Sequence, residues 1–198
     1  MNKSYDVLIV GGGVMGCSIQ YSLADRGMNN SLLVEQNVLG SGSTSRSQAI
    51  LRMHYSNPET ALMAWESLKM FRDFEEITGV SSGFVETGYL LAVPKHYHKP
   101  MSENLMMQQE LGIDVSEVDY KFVEDLGLIP YPDESEAYCW EPLSGFADPY
   151  SVTVGYADQS RSLGCDINIG IQVKAINIDP VSYTHLRAHE TREDRGWR

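Results

Sequence analysis

The first part of the chain shows two short apolar runs separated by a stretch with helical periodicity. Val7–Val10 is an aliphatic run of the kind found in strands that are buried on both faces. A second aliphatic run covers residues 32–34 and ends at Glu35. Small and apolar residues between them recur every three or four positions, which predicts a helix with one buried face. These positions are Gly16, Ile19, Leu23 and Ala24. The pattern predicts a βαβ unit, with Gly27 just after the helix.

Further helices are predicted downstream from capping residues and apolar spacing. Asn57 is a suitable N-cap, Pro58 suits the first helical position and Gly79 the end. The apolar stripe of that helix comprises Leu62, Trp65, Leu68, Phe71, Phe74 and Ile77. Asp148 and Pro149 predict a helix to Leu163 in the same way. Shorter helices are predicted over 102–110 and 119–126, and a helix or turn at the start of 47–55. Strands are predicted over 84–93 and near 113–115, 165–167 and 172–177, and a loop over 95–100.

A glycine motif links the first strand to the first helix. Gly11, Gly13 and Gly16 have the spacing of a dinucleotide-binding turn: a tight bend, a close approach to a pyrophosphate, and close packing of helix on strand. Glu35, at the end of the second run, suits the ribose hydroxyls of an adenosine. A carboxylate there would repel a 2′-phosphate, so the motif favours FAD or NAD over NADP.

The segment after Glu35 is rich in glycine and hydroxyl side chains. Residues 36–46 read QNVLGSGSTSR. Their hydroxyl and backbone N–H groups are candidate donors to a pyrophosphate, and a solvated surface loop is the alternative.

Composition excludes several classes of partner and gives no metal pattern. The net charge of −12 disfavours binding to nucleic acid and to anionic membranes. No apolar run approaches the length of a membrane span. The three cysteines are widely separated, which favours a reducing compartment, and we expect a cytoplasmic protein. His96 and His98 form an H-x-H pair in a loop-like segment without an evident third ligand, so solvated histidines are the preferred interpretation.

The C-terminal residues differ in character from the rest. Residues 181–191, VSYTHLRAHET, resemble the translation of an adapter used in sequencing libraries. We therefore expect 181–198 to be an adapter-derived tail and the chain to be a truncated fragment of its gene.

Taken together, several segments resemble the D-amino-acid oxidase superfamily. These are the glycine motif, GSGSTSR, ILRMHYSNPE, TGYLLAV and GFADPYSVTVGYA. More closely, they resemble the sarcosine oxidase, dimethylglycine dehydrogenase and glycine oxidase branch. The resemblance implies an α/β fold: a Rossmann-like FAD-binding domain with part of a mixed-sheet α+β substrate domain. It implies an FAD-binding domain formed by 1–85 and 144–180, and a partial substrate domain over 86–143.

The resemblance also implies roles for individual residues. Arg52, in ILRMHY, matches an arginine that pairs with the substrate carboxylate, and a structural ion pair is the alternative. Arg46 stands where some members carry a histidine for covalent flavin attachment, so FAD is expected to be non-covalent in this half. Val173 falls where the family contacts adenine through its backbone. The whole predicted cofactor-binding set is Gly11, Gly13, Val14, Met15, Gly16, Glu35, Gln36, Gly42, Ser43, Thr44, Ser45 and Val173. No catalytic residue and no metal ligand is predicted.

The implied function is FAD-dependent oxidation of the C–N bond of a small secondary or tertiary amino acid, followed by hydrolysis of the imine. The electron acceptor would be oxygen or a carrier, and a hetero-oligomer is possible within the family. The chain alone is expected to be inactive. Two alternatives stay open: an NAD-dependent dehydrogenase with the same βαβ unit, and a flavin-binding subunit without catalysis.

Overall fold

The computed structural model describes residues 3–128 and 136–176. The strands are β1 (Val7–Val10), β2 (Ser31–Glu35), β3 (Ile50–Leu51), β4 (Val85–Glu86), β5 (Tyr89–Pro94), β6 (Ser116–Val118), β7 (Glu136–Glu141), β8 (Gly145–Phe146) and β9 (Asp166–Ile169). The α-helices are α1 (Val14–Asp25), α2 (Pro58–Arg72), α3 (Phe74–Thr78), α4 (His98–Glu110), α5 (Tyr120–Asp125) and α6 (Pro149–Ser162). Short 3₁₀ helices cover Thr44–Arg46 and Lys95–Tyr97. This mixed α/β composition confirms the predicted fold class.

The chain divides into two compact units, each built from separate stretches of sequence. Among the described residues, the first unit comprises 3–48, 74–82 and 148–176. The second comprises Ala49–Asp73 and Gly83–Ala147. Residues 49–73 therefore pack with the second unit, although the sequence-based division grouped them with 1–48. The functional domains inferred from the resemblance stay a prediction.

The first unit contains a parallel sheet in the order β1-β2-β9. Leu33, at the centre of β2, pairs with Ile9 on one side and Ile167 on the other, and it is fully buried. Helices α1 and α6 pack together, with the rings of Tyr21 and Tyr156 5.4 Å apart. The carboxyl ends of β1 and β2 therefore lie side by side, directly before the glycine turn and Glu35.

The predicted buried face of α1 is partly wrong. Ile19 is 46% exposed, whereas the buried residues are Cys17, Gln20, Tyr21 and Ala24. Gln20 is buried because its amide donates to Ser31 Oγ at 3.3 Å and to the Asp166 carbonyl at 3.0 Å. A polar residue thus occupies the central position of the buried face, which a search for apolar residues overlooks.

The second unit contains two antiparallel sheets, ordered β3-β8-β4 and β5-β7-β6. The predicted strand over 84–93 is divided into β4 and β5. Gly88 lies between them with φ of 72°, and a Cβ there would lie 1.9 Å from the ring of Trp140. The core is formed by buried side chains from both parts of the unit: Met53, Ala61, Leu68, Met101, Leu105, Ile113, Val115, Ala137 and Cys139.

Three of the helices begin directly after an N-cap residue. The carboxylates of Asp119 and Asp148 and the amide oxygen of Asn57 accept from backbone N–H groups, as N-caps do.

The predicted helix from Asn57 ends at Arg72, and α3 follows after Asp73, with Leu62 exposed. Four other segments differ from their prediction. Residues 47–55 contain β3 where a helix or turn was expected, and the expected loop at 95–100 includes the start of α4 at His98. Residues 113–115 precede β6, which begins at Ser116, and residues 172–176 form no regular element. Strands β7 and β8 were not predicted. The tail at 181–198 lies outside the described residues.

Candidate functional site

The glycine turn joins β1 to α1 through a positive φ at Gly11 and a backbone contact at Gly16 that leaves no room for a Cβ. Gly11 has φ of 110°, and its N–H donates to the Val34 carbonyl at 2.8 Å. A Cβ on Gly16 would lie 2.0 Å from the Gly11 carbonyl oxygen, so the first turn of α1 packs directly on the turn backbone. Gly13 is the N-cap of α1 and provides no side-chain capping bond. The start of α1 therefore presents backbone N–H groups with no side chain at Gly13, and this glycine cradle fits the pyrophosphate of a dinucleotide.

The hydroxyl-rich loop reaches this same turn through Thr44. Val14 N–H donates to Thr44 Oγ1 at 3.0 Å, and that oxygen is 3.1 Å from the Cβ position of Gly13. The Ser45 hydroxyl donates within the loop instead, to the carbonyls of Ser41 and Gly42 at 3.3 and 3.0 Å. Thr44 is thus the residue of this loop that the structure brings to the start of α1 by a hydrogen bond.

Glu35 links the end of β2 to the glycine turn. Its Oε2 accepts from Gly12 N–H at 2.7 Å, and its Oε1 accepts from Asn37 N–H at 2.8 Å. A Cβ on Gly12 would lie 2.7 Å from Leu39 Cδ2 and 2.9 Å from Glu35 Cβ. Sequence reasoning omitted Gly12, although the run of three glycines at 11–13 was the available signal.

The other predicted cofactor-binding residues lie around this cradle at varying distance. Met15 is 70% exposed on the first turn of α1, and Gln36 is exposed directly after Glu35. Val173 lies in an irregular segment after β9, which is tied to β2 because Ile171 N–H donates to the Glu35 carbonyl at 2.9 Å. The structure thus gathers 11–16, Glu35 and Thr44 by direct contacts.

In the second unit, Arg52 follows β3 and is partly buried. Its Nη1 donates to the His54 carbonyl at 2.9 Å, and its guanidinium carbon lies 5.2 Å and 5.5 Å from the ring centroids of Tyr55 and Tyr89. Within residues 3–128 and 136–176 it forms no ion pair with a carboxylate. Its remaining N–H donors suit an incoming carboxylate in the planar, two-bond geometry that only a guanidinium provides.

A buried cluster lies beside this segment. Glu141 is fully buried, and its Oε2 accepts from Met53 N–H at 2.9 Å and from the Ser144 hydroxyl at 2.8 Å. Its Oε1 lies 3.6 Å from His54 Nδ1, and the same nitrogen is 3.6 Å from Cys139 Sγ. Sequence reasoning missed Glu141, because it lies 88 positions from its partner Met53.

Burial controls the protonation of this cluster. Desolvation raises the pKa of Glu141, although hydrogen bonds from Met53 and Ser144 oppose the shift. Desolvation and the nearby Arg52 charge lower the pKa of His54. Burial raises the pKa of Cys139 to about 12. The thiol is therefore protonated at neutral pH and is no nucleophile.

Other titratable groups form exposed pairs. His98 Nε2 lies 2.7 Å from Glu117 Oε1 on the surface, where such pairs contribute little to stability. No group of His, Cys, Asp or Glu suitable for a metal ion occurs in the described part of the chain. Within the same residues, no helix is long and apolar enough to cross a membrane.

Comparisons with known proteins identify related chains. The family model described as FAD dependent oxidoreductase matches residues 6–195. Mitochondrial dimethylglycine dehydrogenase of Rattus norvegicus is 26% identical over 160 residues, covering 80% of this chain and 19% of that protein. Mitochondrial sarcosine dehydrogenase of Homo sapiens is 25% identical over 175 residues, covering 87% of this chain and 19% of that protein. The solved glycine oxidase from Bacillus cereus ATCC 14579 has 27% identity and a TM-score of 0.73, covering 94% of this chain and 53% of that one.

The chain spans about a fifth of the length of these curated relatives and about half of the solved glycine oxidase. The matched family range takes in the glycine turn, Glu35, Thr44 and Arg52, as well as part of the predicted tail. FAD is the cofactor of this family, and the glycine cradle of the first unit fits its pyrophosphate. These agreements confirm the resemblance found in the sequence: the chain belongs to the FAD dependent oxidoreductase family.

Proposed function

We propose that the protein containing this chain uses FAD to oxidise the C–N bond of a small amino acid, either a secondary or tertiary one such as sarcosine or dimethylglycine, or glycine itself. The observation that carries the substrate class is Arg52, a partly buried guanidinium without a carboxylate partner in the described part of the chain. The names of the related dehydrogenases and of the glycine oxidase support the same class.

In this proposal the first unit holds the cofactor. Backbone N–H groups at the start of α1, other than that of Val14, which donates to Thr44 Oγ1, bind the pyrophosphate, since Gly13 adds no side chain there. Thr44 supplies a hydroxyl to the same place. Glu35 accepts from the ribose hydroxyls with the lone pairs that its two backbone hydrogen bonds leave free. Serines 43 and 45, Gly42 and the Val173 backbone stay predicted contacts.

The second unit supplies the group that recognises the substrate. Arg52 is held by its hydrogen bond to the His54 carbonyl and by the rings of Tyr55 and Tyr89, so little side-chain freedom is lost when a carboxylate binds. Two parallel N–H···O bonds then fix the carboxylate and, through it, the carbon that is oxidised. The two electrons would leave that carbon as a single hydride, for which bound FAD would be the acceptor. Water converts the imine product to an aldehyde or keto acid and an amine.

Two alternative functions make different predictions. An NAD-dependent dehydrogenase would share the βαβ unit, but the family match disfavours it. A flavin-binding subunit without catalysis would retain the glycine cradle, and hetero-oligomers with such subunits are compatible with the proposed fold. We further propose a reducing, cytoplasmic location, which the three free, buried cysteines support. Oxygen or a protein carrier is the proposed electron acceptor.

The products of the reaction test the proposal. The purified full-length protein is incubated in air, with an electron carrier added, with sarcosine, dimethylglycine or glycine, and the carbonyl and amine products are identified. Formaldehyde with a demethylated amino acid indicates oxidation of the N-methyl carbon, and glyoxylate indicates oxidation of Cα. Either outcome supports the proposal. Yellow protein that forms no carbonyl product from any of the three supports the non-catalytic reading, and colourless protein that binds NAD supports the dehydrogenase.

A further inference from the structure

We propose that Glu141 is a positioning residue for Arg52: it holds the backbone beside Arg52 and so sets the guanidinium for the substrate carboxylate. This inference rests on the proposed function, and it names a residue that does not itself touch the substrate.

The contacts of Glu141 join two distant parts of the second unit. Glu141 is the last residue of β7, and its Oε2 accepts from Met53 N–H at 2.9 Å. The same oxygen accepts from the Ser144 hydroxyl at 2.8 Å, in the turn that leads to β8. One buried oxygen therefore fixes the segment after β3 to the β7–β8 turn.

Arg52 lies within the segment held in this way. The Met53 N–H belongs to the peptide bond that joins Met53 to Arg52, so Glu141 fixes the peptide immediately after the Arg52 Cα. Arg52 Nη1 donates to the His54 carbonyl at 2.9 Å, which orients the guanidinium against the same short segment. The Met53 side chain is only 1% exposed and packs in the core of the second unit, which also holds the segment in place. A shift of the Met53 peptide would therefore move the guanidinium.

The unusual environment of Glu141 argues for a role beyond stability. The residue is fully buried, and its Oε1 has no hydrogen-bond partner. Burying a carboxyl with incomplete hydrogen bonding is unfavourable, and an apolar residue of similar size would avoid that cost. An apolar residue would, however, leave the Met53 N–H without its acceptor. Holding that N–H is the contribution that explains a side chain with an acceptor oxygen at this position.

The experiment measures binding of a carboxylate in the full-length protein loaded with FAD. Methoxyacetate resembles sarcosine in shape but has no oxidisable C–N bond, and its binding is followed by the change in the flavin absorbance spectrum. The proteins compared are the parent, Glu141→Leu, Glu141→Gln, Arg52→Lys and the double variant Arg52→Lys/Glu141→Leu. Ser144→Ala is the matched control, since it removes the other hydrogen bond to Oε2 and leaves the Met53 bond.

Glu141→Leu should weaken methoxyacetate binding about tenfold, which is the effect of losing one well-placed hydrogen bond. Glu141→Gln should bind within about threefold of the parent, because its amide oxygen still accepts from Met53 N–H. Ser144→Ala should also stay within that range. The double variant should bind no more weakly than Arg52→Lys alone, because Glu141 acts through Arg52.

Parent affinity in Glu141→Leu, or a further loss in the double variant, would overturn the inference. If Glu141→Leu does not retain FAD, Glu141→Asp is used in its place. The aspartate side chain is one methylene shorter and is not expected to reach Met53 N–H, so the same loss of methoxyacetate affinity is expected. Full affinity in Glu141→Asp would overturn the inference. If Arg52→Lys itself binds methoxyacetate normally, the proposed function fails instead, and the two failures are therefore distinguishable.

Discussion

Arg52 is the residue on which the proposed substrate class depends. Arg52→Lys keeps the charge but loses the planar fork, so two parallel hydrogen bonds to a carboxylate cannot form. The kcat/KM for amino-acid substrates should fall about 10²-fold, corresponding to about 2–3 kcal/mol of charged hydrogen bonding. Steady-state kinetics of the full-length protein measure this loss, and bound FAD, measured by flavin absorbance, should stay unchanged.

An amine that lacks the carboxylate is the control for this substitution. Its kcat/KM should barely change in Arg52→Lys, since the lost hydrogen bonds are made only to the acid. If acidic and neutral substrates lose activity equally, Arg52 stabilises the unit rather than the substrate.

Glu141, also a single residue, should make the stability of the protein depend on pH. Its pKa is raised in the folded protein, chiefly by desolvation, so the folded state binds more protons than the unfolded chain between the ordinary and the raised value. The free energy of unfolding contributed by this group therefore decreases as the pH rises through that window. Glu141→Gln does not titrate, so its Tm should rise relative to the parent as the pH increases from the ordinary pKa of a glutamate, about 4, through the raised pKa of Glu141.

Thermal unfolding followed by circular dichroism at a series of pH values measures that difference. A Tm difference that stays constant from acid to neutral pH would show that Glu141 has an ordinary pKa in the folded protein.

At the scale of the element, the glycine turn determines whether β1 and α1 can pack. A Cβ on Gly16 would lie 2.0 Å from the Gly11 carbonyl oxygen, and backbone on both sides must move to accommodate it. Gly16→Ala should therefore lower the free energy of unfolding by about 1–3 kcal/mol, as overpacking does, and should release FAD. Gly42→Ala is the matched control for stability, because a Cβ there meets no atom within 4 Å.

Urea unfolding of the two variants compares these effects. Equal midpoints for Gly16→Ala and Gly42→Ala would contradict the close packing of α1 on the turn.

Local signals explain which elements the sequence predicts. The caps Asn57, Asp119 and Asp148 each act within three residues, so the helix starts can be read from neighbouring positions. Strands β3, β4 and β8 have two residues each and no period to detect. They exist because β8 pairs with both of the others, which are distant in sequence.

Residues of the candidate site likewise differ in whether neighbouring positions in the sequence reveal them. The glycine turn and Glu35 lie within one βαβ unit, so their spacing carries the signal. Thr44 follows closely and is found for the same reason. Glu141 acts on a backbone N–H 88 positions away, and only the fold brings the two together.

At the scale of the whole molecule, the chain passes repeatedly between its two units. The glycine turn, Glu35 and Thr44 belong to the first unit, and Arg52, Glu141 and the tyrosines beside Arg52 belong to the second. Proposed cofactor recognition and proposed substrate recognition are therefore assigned to separate cores. FAD content is therefore the control for every Arg52 experiment, because it reports on the first unit while the substitution is in the second.

Anaerobic reduction of the bound flavin tests the central claim most directly, because it requires both the cofactor and the amino acid and no external electron acceptor. The yellow full-length protein is mixed without oxygen with sarcosine, dimethylglycine or glycine, and the visible flavin band is recorded. The account predicts that at least one of these amino acids bleaches the band and that admitted oxygen or an added carrier restores it. A protein that keeps its flavin band with all three, or that contains no flavin, would contradict it.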